Sequence, residues 1–186
     1  MVRLFGIGRN PPTFEFRCAE CGELHRGSPS FSHKLPEHVF DVPEDERVLR
    51  VTSTDDICII RPSADDRDER TTFWIRTILE LPIHGVPEPF TWGLWVSQSE
   101  EAFERYVDTF DDDQSDDGSF GWLPVHMAAY RNPDGSWPML KCDVSWGPKG
   151  KRPELRLWEC DNQLYIDQRD GISWERAIEI ATPLMH

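Results

Sequence analysis

Residues 73–97, FWIRTILELPIHGVPEPFTWGLWVS, contain two runs of strand length joined by a stretch of turn formers. The first run, 73–83, is dense in bulky and β-branched side chains, which suit a pleated, half-buried surface. The second, 90–97, alternates with period two, so Phe90, Trp92, Leu94 and Val96 share one face. HGVPEP supplies Gly and Pro where the chain must reverse, which predicts an antiparallel pair. Such a ribbon needs its apolar face covered. A chain of 186 residues with eight tryptophans and ten phenylalanines can do so within one domain.

Other stretches read in the same way. Ile57 to Ile60, within DICIIR, form an apolar run that suits a buried central strand. In PMLKCDVSW, Leu140, Cys142, Val144 and Trp146 alternate with Lys141, Asp143 and Ser145, and GPKGKRP turns the chain so that ELRLWEC returns as a hairpin partner. Ser97 stands three residues before Glu100 as a capping box, ahead of Phe103, Tyr106, Val107 and Phe110 at helical spacing, which predicts a helix over 98–110. Ser173 caps a final helix with Trp174, Ala177, Ile178 and Ala181 on one face, ended by Pro183. DVPEDER holds a helical turn. Strands outnumber helices and pair as hairpins, so the expected class is α+β: an antiparallel β-sheet with two packed helices. Residues 1–13 are expected to be a flexible leader and 14–186 a single domain, with 14–38 a zinc-knuckle-like segment.

The 34 acidic and 20 basic residues give a net charge of −14. That charge repels phosphate backbones and anionic lipid and favours a basic partner or a cationic ligand. Six aspartates fall between Asp108 and Asp117, in a stretch of turn formers that reads as a solvated loop. No stretch approaches the roughly twenty apolar residues of a membrane span. The opening residues lack a signal peptide's apolar core and cleavage site, and five irregularly spaced cysteines suit a reducing compartment; cytoplasmic residence is expected.

FRCAECGELHRG, residues 16–27, is the strongest chemical signal. Cys18 and Cys21 are spaced as a zinc half-site, Gly22 can take the positive φ the turn requires, and His25 on the returning strand can supply a third ligand. Phe14 and Phe16 would back the site. A redox pair normally opens a helix, and CGELHRG has no helical pattern; two free thiols in a turn are the bland alternative. His33, His38, Cys160 and His186 are the fourth-ligand candidates. Cys58 and Cys142 fall on apolar faces as core thiols.

Asp55, Asp56, Glu80, His84, His126, Arg169 and Asp170 are the remaining polar candidates, and none lies in a catalytic motif. Gln168, Arg169 and Asp170 precede the final helix, where backbone N–H groups favour anions; Asp170 pairing with Arg169 is the simpler reading. The tryptophans serve as core or line a sugar or aromatic pocket. Together these features favour a non-catalytic binding or interaction protein with a structural zinc. The alternatives are an immunity-type protein that neutralises a basic toxin, and a metal-dependent hydrolase.

FRCAECGELHRG, ERVLRVTSTDDICII, IRTILELPI, FTWGLWVSQSEEAFERY, FGWLP and QRDGISWERAIEI, in this order, resemble the bacterial family known as domain of unknown function 2199, over residues 14 to 186. The resemblance implies one fold unit and no particular activity. It also implies threonine-aspartate-histidine where this chain has Cys160, Asp161 and Asn162, so a site using that histidine would here be altered or use Cys160.

Overall fold

The computed structural model describes residues 13–17, 22–66 and 68–184. In chain order they form β1 (Glu15–Arg17), β2 (Leu24–Arg26), β3 (Ser30–Ser32), α1 (Glu44–Arg50), β4 (Val51–Ser53), β5 (Ile57–Ile60), β6 (Thr72–Leu81), β7 (Phe90–Gln98) and α2 (Glu100–Asp108). There follow β8 (Gln114–Pro124), β9 (Met139–Gly147), β10 (Glu154–Leu157), α3 (Gln163–Asp170) and α4 (Trp174–Ala181).

The ribbon expected from residues 73–97 is present: β6 and β7 pair antiparallel from Phe73↔Gln98 to Leu81↔Phe90. From β7 the chain continues to β8, β9 and β10, each antiparallel to the one before, and β10 then pairs with β6. Five strands running alternately up and down leave the first and fifth pointing the same way, so the closing pair, Glu154↔Ile78, is parallel. The class is α+β as expected. The expectation of an antiparallel sheet with two helices is corrected to a closed five-stranded barrel with one parallel seam, extra strands, and four α-helices among the described residues.

β5 and β4 extend the sheet from β6, so Ile57–Ile60 lie next to an edge strand rather than at the centre. On its other side β7 is shared. β3 pairs with Thr91–Gly93 in parallel, and β8 meets β7 only at Ser97↔Trp122.

Alternation dictates what fills the barrel. Phe90, Trp92, Leu94 and Val96 face inward with Leu140, Cys142, Val144 and Trp146, as the sequence predicts, and Lys141, Asp143 and Ser145 are exposed. α2 closes part of this core by laying Phe103 on Phe73 (ring centroids 5.1 Å apart) and Tyr106 on Trp146 (5.4 Å). α4 adds Ala177, Ile180 and Ala181. Fully burying a large apolar side chain contributes about 1.5–3 kcal/mol, so this cluster dominates stability. A second cluster covers the outer face of β5–β7, where Cys58, Ile60, Trp74 and Trp95 meet Val39 and Val42. Two covered faces explain why β6 and β7 are nearly continuous in apolar residues.

Two local expectations are corrected and a third is met. Ser97 is a strand residue, and α2 is capped by Ser99, whose Oγ accepts from Ala102 N–H at 3.2 Å. The aspartate-rich stretch is not one loop: β8 begins at Gln114, which is buried and donates to Tyr106 O (3.1 Å) and to Thr109 Oγ1. A bulge between Gln114 and Gly118 carries Asp116 and Asp117 outward. The favoured reading of Gln168–Asp170 is met: Arg169 pairs with Asp170 at 2.6 Å, and these residues form the last turn of α3, whose carbonyl end disfavours an anion site. The final helix begins where predicted, with Ser173 Oγ accepting from Arg176 N–H at 3.1 Å.

Candidate functional site

The frame of the cysteine turn is a short antiparallel ladder, Glu15↔Arg26, Phe16↔His25 and Arg17↔Leu24. Gly22 has φ +73°, as such a turn requires, and its carbonyl accepts from Arg17 Nη1 at 2.6 Å. Phe14 and Phe16 are buried in the main core, and the His25 ring stacks on Phe16 at 5.5 Å. Cys18 and Cys21, the two thiols of the metal reading, lie outside the described residues, as does His186. Of the other ligand candidates, His33 sits beside Trp92 and Glu37, His38 lies on Trp74 at 4.7 Å, and Cys160 packs at the border of the main core. Among the described residues no three His, Cys, Asp or Glu side chains converge as a metal site.

The catalytic candidates are scattered and individually engaged. Asp56 pairs with Arg152 at 2.8 Å, and the Asp55 carbonyl accepts from Arg76 at 3.2 Å. His84 Nε2 meets the Asp170 carbonyl at 2.9 Å. His126 stacks on Trp137 at 5.3 Å. Glu80 is exposed on β6.

Three aromatic side chains are instead gathered on the outer wall of the barrel. Phe120 and Trp122 project from β8, and Trp158 stands at the end of β10; they are 41%, 39% and 45% exposed. Trp122 lies opposite Lys141 in the ladder, and Trp158 N–H donates to Lys141 O at 2.9 Å. Phe120 meets Trp122 at 5.8 Å and Trp158 at 5.1 Å, both edge to face. Lys141 Nζ lies 5.4 Å from the Trp122 ring and 5.7 Å from the Trp158 ring. A groove adjoins Phe120 and Trp122, bordered by Ser97, Ser99, Glu101 and Arg105. Alternation in the sequence assigns only the inward tryptophans; the signal for this face is the outward phase of FGW and the tryptophan directly after ELRL.

A family model described as "Uncharacterized protein conserved in bacteria (DUF2199)" matches residues 17–172. The chain belongs to that family. No curated protein and no solved structure matches it.

In this DUF2199 chain the stretch FTWGLWVSQSEEAFERY builds β7 and α2, the wall and partial lid of the barrel. Within Cys160, Asp161 and Asn162 the last residue has a structural role. Asn162 caps α3 by accepting from Leu164 N–H at 2.9 Å, and its amide donates to Tyr130 O at 3.1 Å. Among the described residues no helix is long and apolar enough to cross a membrane.

A second cluster joins three histidines to tryptophans. His38 is edge to face with His126 at 6.4 Å, and His33 is placed likewise against Trp92 at 6.4 Å. Burial lowers the pKa of His33, and His126 and Arg76 push it the same way while Glu37 opposes. Burial also lowers that of His38, with Asp41 opposing and His126 adding to the shift. Both imidazoles are therefore held neutral near pH 7.

Proposed function

We propose that this DUF2199 protein is a non-catalytic interaction protein that binds a basic protein partner through Phe120, Trp122 and Trp158, with a structural zinc bracing its N-terminal hairpin. The observation that carries this reading is the half-exposed aromatic trio from β8 and the end of β10, the two strands that flank β9. Tryptophan is enriched at binding hot spots, and such rings gain most when a partner completes their burial. The net charge of −14 selects a partner of opposite sign and speeds its approach. For the hairpin, two thiols and one imidazole suit zinc, and the paired strands anchored by Phe14 and Phe16 are a frame that a metal would tighten. Of the chain's own ligands, Cys18, Cys21 and His25 would hold it.

The test is crosslinking in native extract with wild type and with Trp122→Ser/Trp158→Ser, at low and high salt. Loss of one defined, basic crosslinked species in the variant, with an unchanged circular dichroism spectrum, is expected. The same species captured equally by both proteins at both salts would exclude this face and the charge attraction.

A further inference from the structure

Helix α1 turns two arginines toward the protein and its apolar residues toward solvent. Arg50 is bonded to Glu46 at 2.8 Å and to Glu69. Arg47 donates from Nε to Val42 O at 2.9 Å and from Nη2 to Phe40 O at 3.3 Å. Val48 and Leu49 are 87% and 79% exposed, the highest values of any large apolar side chain among the described residues. No residue of the helix is buried. Phe40, also exposed, lies under the Arg47 guanidinium at 5.5 Å and is a third apolar group on this side. A surface helix that needs no partner has the opposite arrangement, with its apolar stripe inward. Exposed apolar groups that are gathered in this way mark a contact surface.

The patch has a charge at each end. Glu44 and Asp45, exposed in the first turn, pair with no cation among the described residues. At the other end Arg61 N–H donates to Arg50 O at 2.8 Å, and Arg61 Nη1 donates to Thr52 Oγ1 at 2.8 Å. Its exposed guanidinium meets no carboxylate among the described residues. An apolar centre with an acidic end and a basic end is self-complementary. A two-fold axis through Val48 and Leu49 sets the acidic end of one copy on the basic end of the other. A uniformly basic partner would bring like charge to Arg61, and a uniformly acidic one would do so to Glu44 and Asp45.

We infer that α1 is the centre of a two-fold interface between two copies of this chain. Val48 and Leu49 pack on their counterparts, and Glu44 and Asp45 face Arg61 of the second copy. The contact does not use the face of Phe120, Trp122 and Trp158, which stays open in the pair. The apolar area is small beside that of an obligate dimer, so a reversible dimer with a dissociation constant of about 10–100 μM is expected.

The test is sedimentation equilibrium of the full chain in 0.15 M salt, where a Debye length of about 8 Å confines the repulsion between two chains of net charge −14. Val48→Ser/Leu49→Ser should weaken the dimer tenfold or more, roughly the loss of one hot-spot contact. Its circular dichroism and melting curve should not change, because both side chains are exposed. Asp45→Arg and Arg61→Glu should each weaken it roughly 3- to 10-fold, and the double variant Asp45→Arg/Arg61→Glu should recover most of that loss. Recovery identifies a contact between chains, since the two residues stand at opposite ends of α1. A wild type still monomeric at about 500 μM would overturn the inference. So would a dimer unaffected by Val48→Ser/Leu49→Ser, or a double variant as weak as the two single ones. Should Arg61→Glu disturb β4, the wild type and the serine variant still decide.

Discussion

Ser119 in β8 donates its hydroxyl hydrogen to Gln98 Oε1 in β7 at 2.5 Å, across a seam whose main-chain pairing is confined to Ser97 and Trp122. The same hydroxyl accepts from Trp146 Nε1 at 3.2 Å. Ser119→Ala removes both bonds and leaves a buried amide oxygen and an indole N–H unpaired. The expected loss is about 1–3 kcal/mol, read from the urea midpoint at constant slope. An unchanged midpoint would show that the seam is held by packing alone.

Gly171→Ala should be more damaging than a surface glycine change. Gly171 has φ 79° and ψ 170°, a conformation nearly reserved for glycine. A Cβ there would also stand 2.9 Å from both His84 Nε2 and the Pro82 carbonyl oxygen. That carbonyl accepts from Ile172 N–H at 2.7 Å, so the contact cannot relax without breaking the bridge. Backbone strain alone contributes about 1–3 kcal/mol. Thermal denaturation of Gly171→Ala beside Gly135→Ala separates the two effects, because Gly135 shares the positive φ but faces open space.

Metal analysis of wild type and Cys18→Ser addresses the hairpin. About one zinc per chain is expected in the wild type and a loss in the variant. Chelation should lower the melting temperature, since a metal that binds only the folded state stabilises it by mass action. The decrease should be partial, because the barrel keeps its own core. A zinc-free wild type that takes up none on titration would exclude the metal.

Stability should fall on mild acidification. His33 and His38 have folded-state pKa values below the ordinary 6.5, so as pH drops through 6.5 the unfolded chain takes up protons that the folded chain refuses. Their contribution is complete above that value and is lost below it. Urea titrations at pH 8, 6.5 and 5.5 measure the slope, and His38→Gln should flatten it. A slope of the opposite sign would mean that the acidic neighbours Glu37 and Asp41 prevail.

Asp111, Asp112 and Asp113 form the exposed tip between α2 and β8. Replacing all three by asparagine should slow association with a basic partner more than it speeds release, and the difference should shrink as salt shortens the Debye length from about 30 Å at 0.01 M to about 10 Å at 0.1 M. Folding stability should stay nearly level, because Lys149 lies 3.7 Å from Asp111 on an open surface. Surface-binding kinetics at the two salts measure it. Equal association rates for both proteins would make this tip a bystander.

Strand alternation was readable wherever one face is wet. Leu140, Cys142, Val144 and Trp146 are buried as their alternation requires. β5 misled because its apolar run reflects a covering layer, not a central place in the sheet. α3 escaped because QLYIDQRD buries only Leu164 and Asp167, too little to mark a helical stripe. Asp167 is buried beside Arg176, 3.5 Å away on α4, a pairing no local pattern announces. Gln114, a buried amide among aspartates, was hidden by the charge around it. The outward trio of Phe120, Trp122 and Trp158 needed register: two rings come from one strand and the third from another, and only the ladder through Lys141 brings them together.

The parallel seam also sets an order of events during synthesis. Ile78 leaves the ribosome well before Glu154, its partner across the barrel. At about 5–20 residues per second the interval is on the order of ten seconds. Through that time the β6–β7 ribbon can form as a local hairpin, yet Phe90, Trp92, Leu94 and Val96 face an interior that does not exist. A nascent chain paused between β9 and β10 is thus a half-cylinder with its greasy side open, the species a chaperone would hold and an aggregate would recruit.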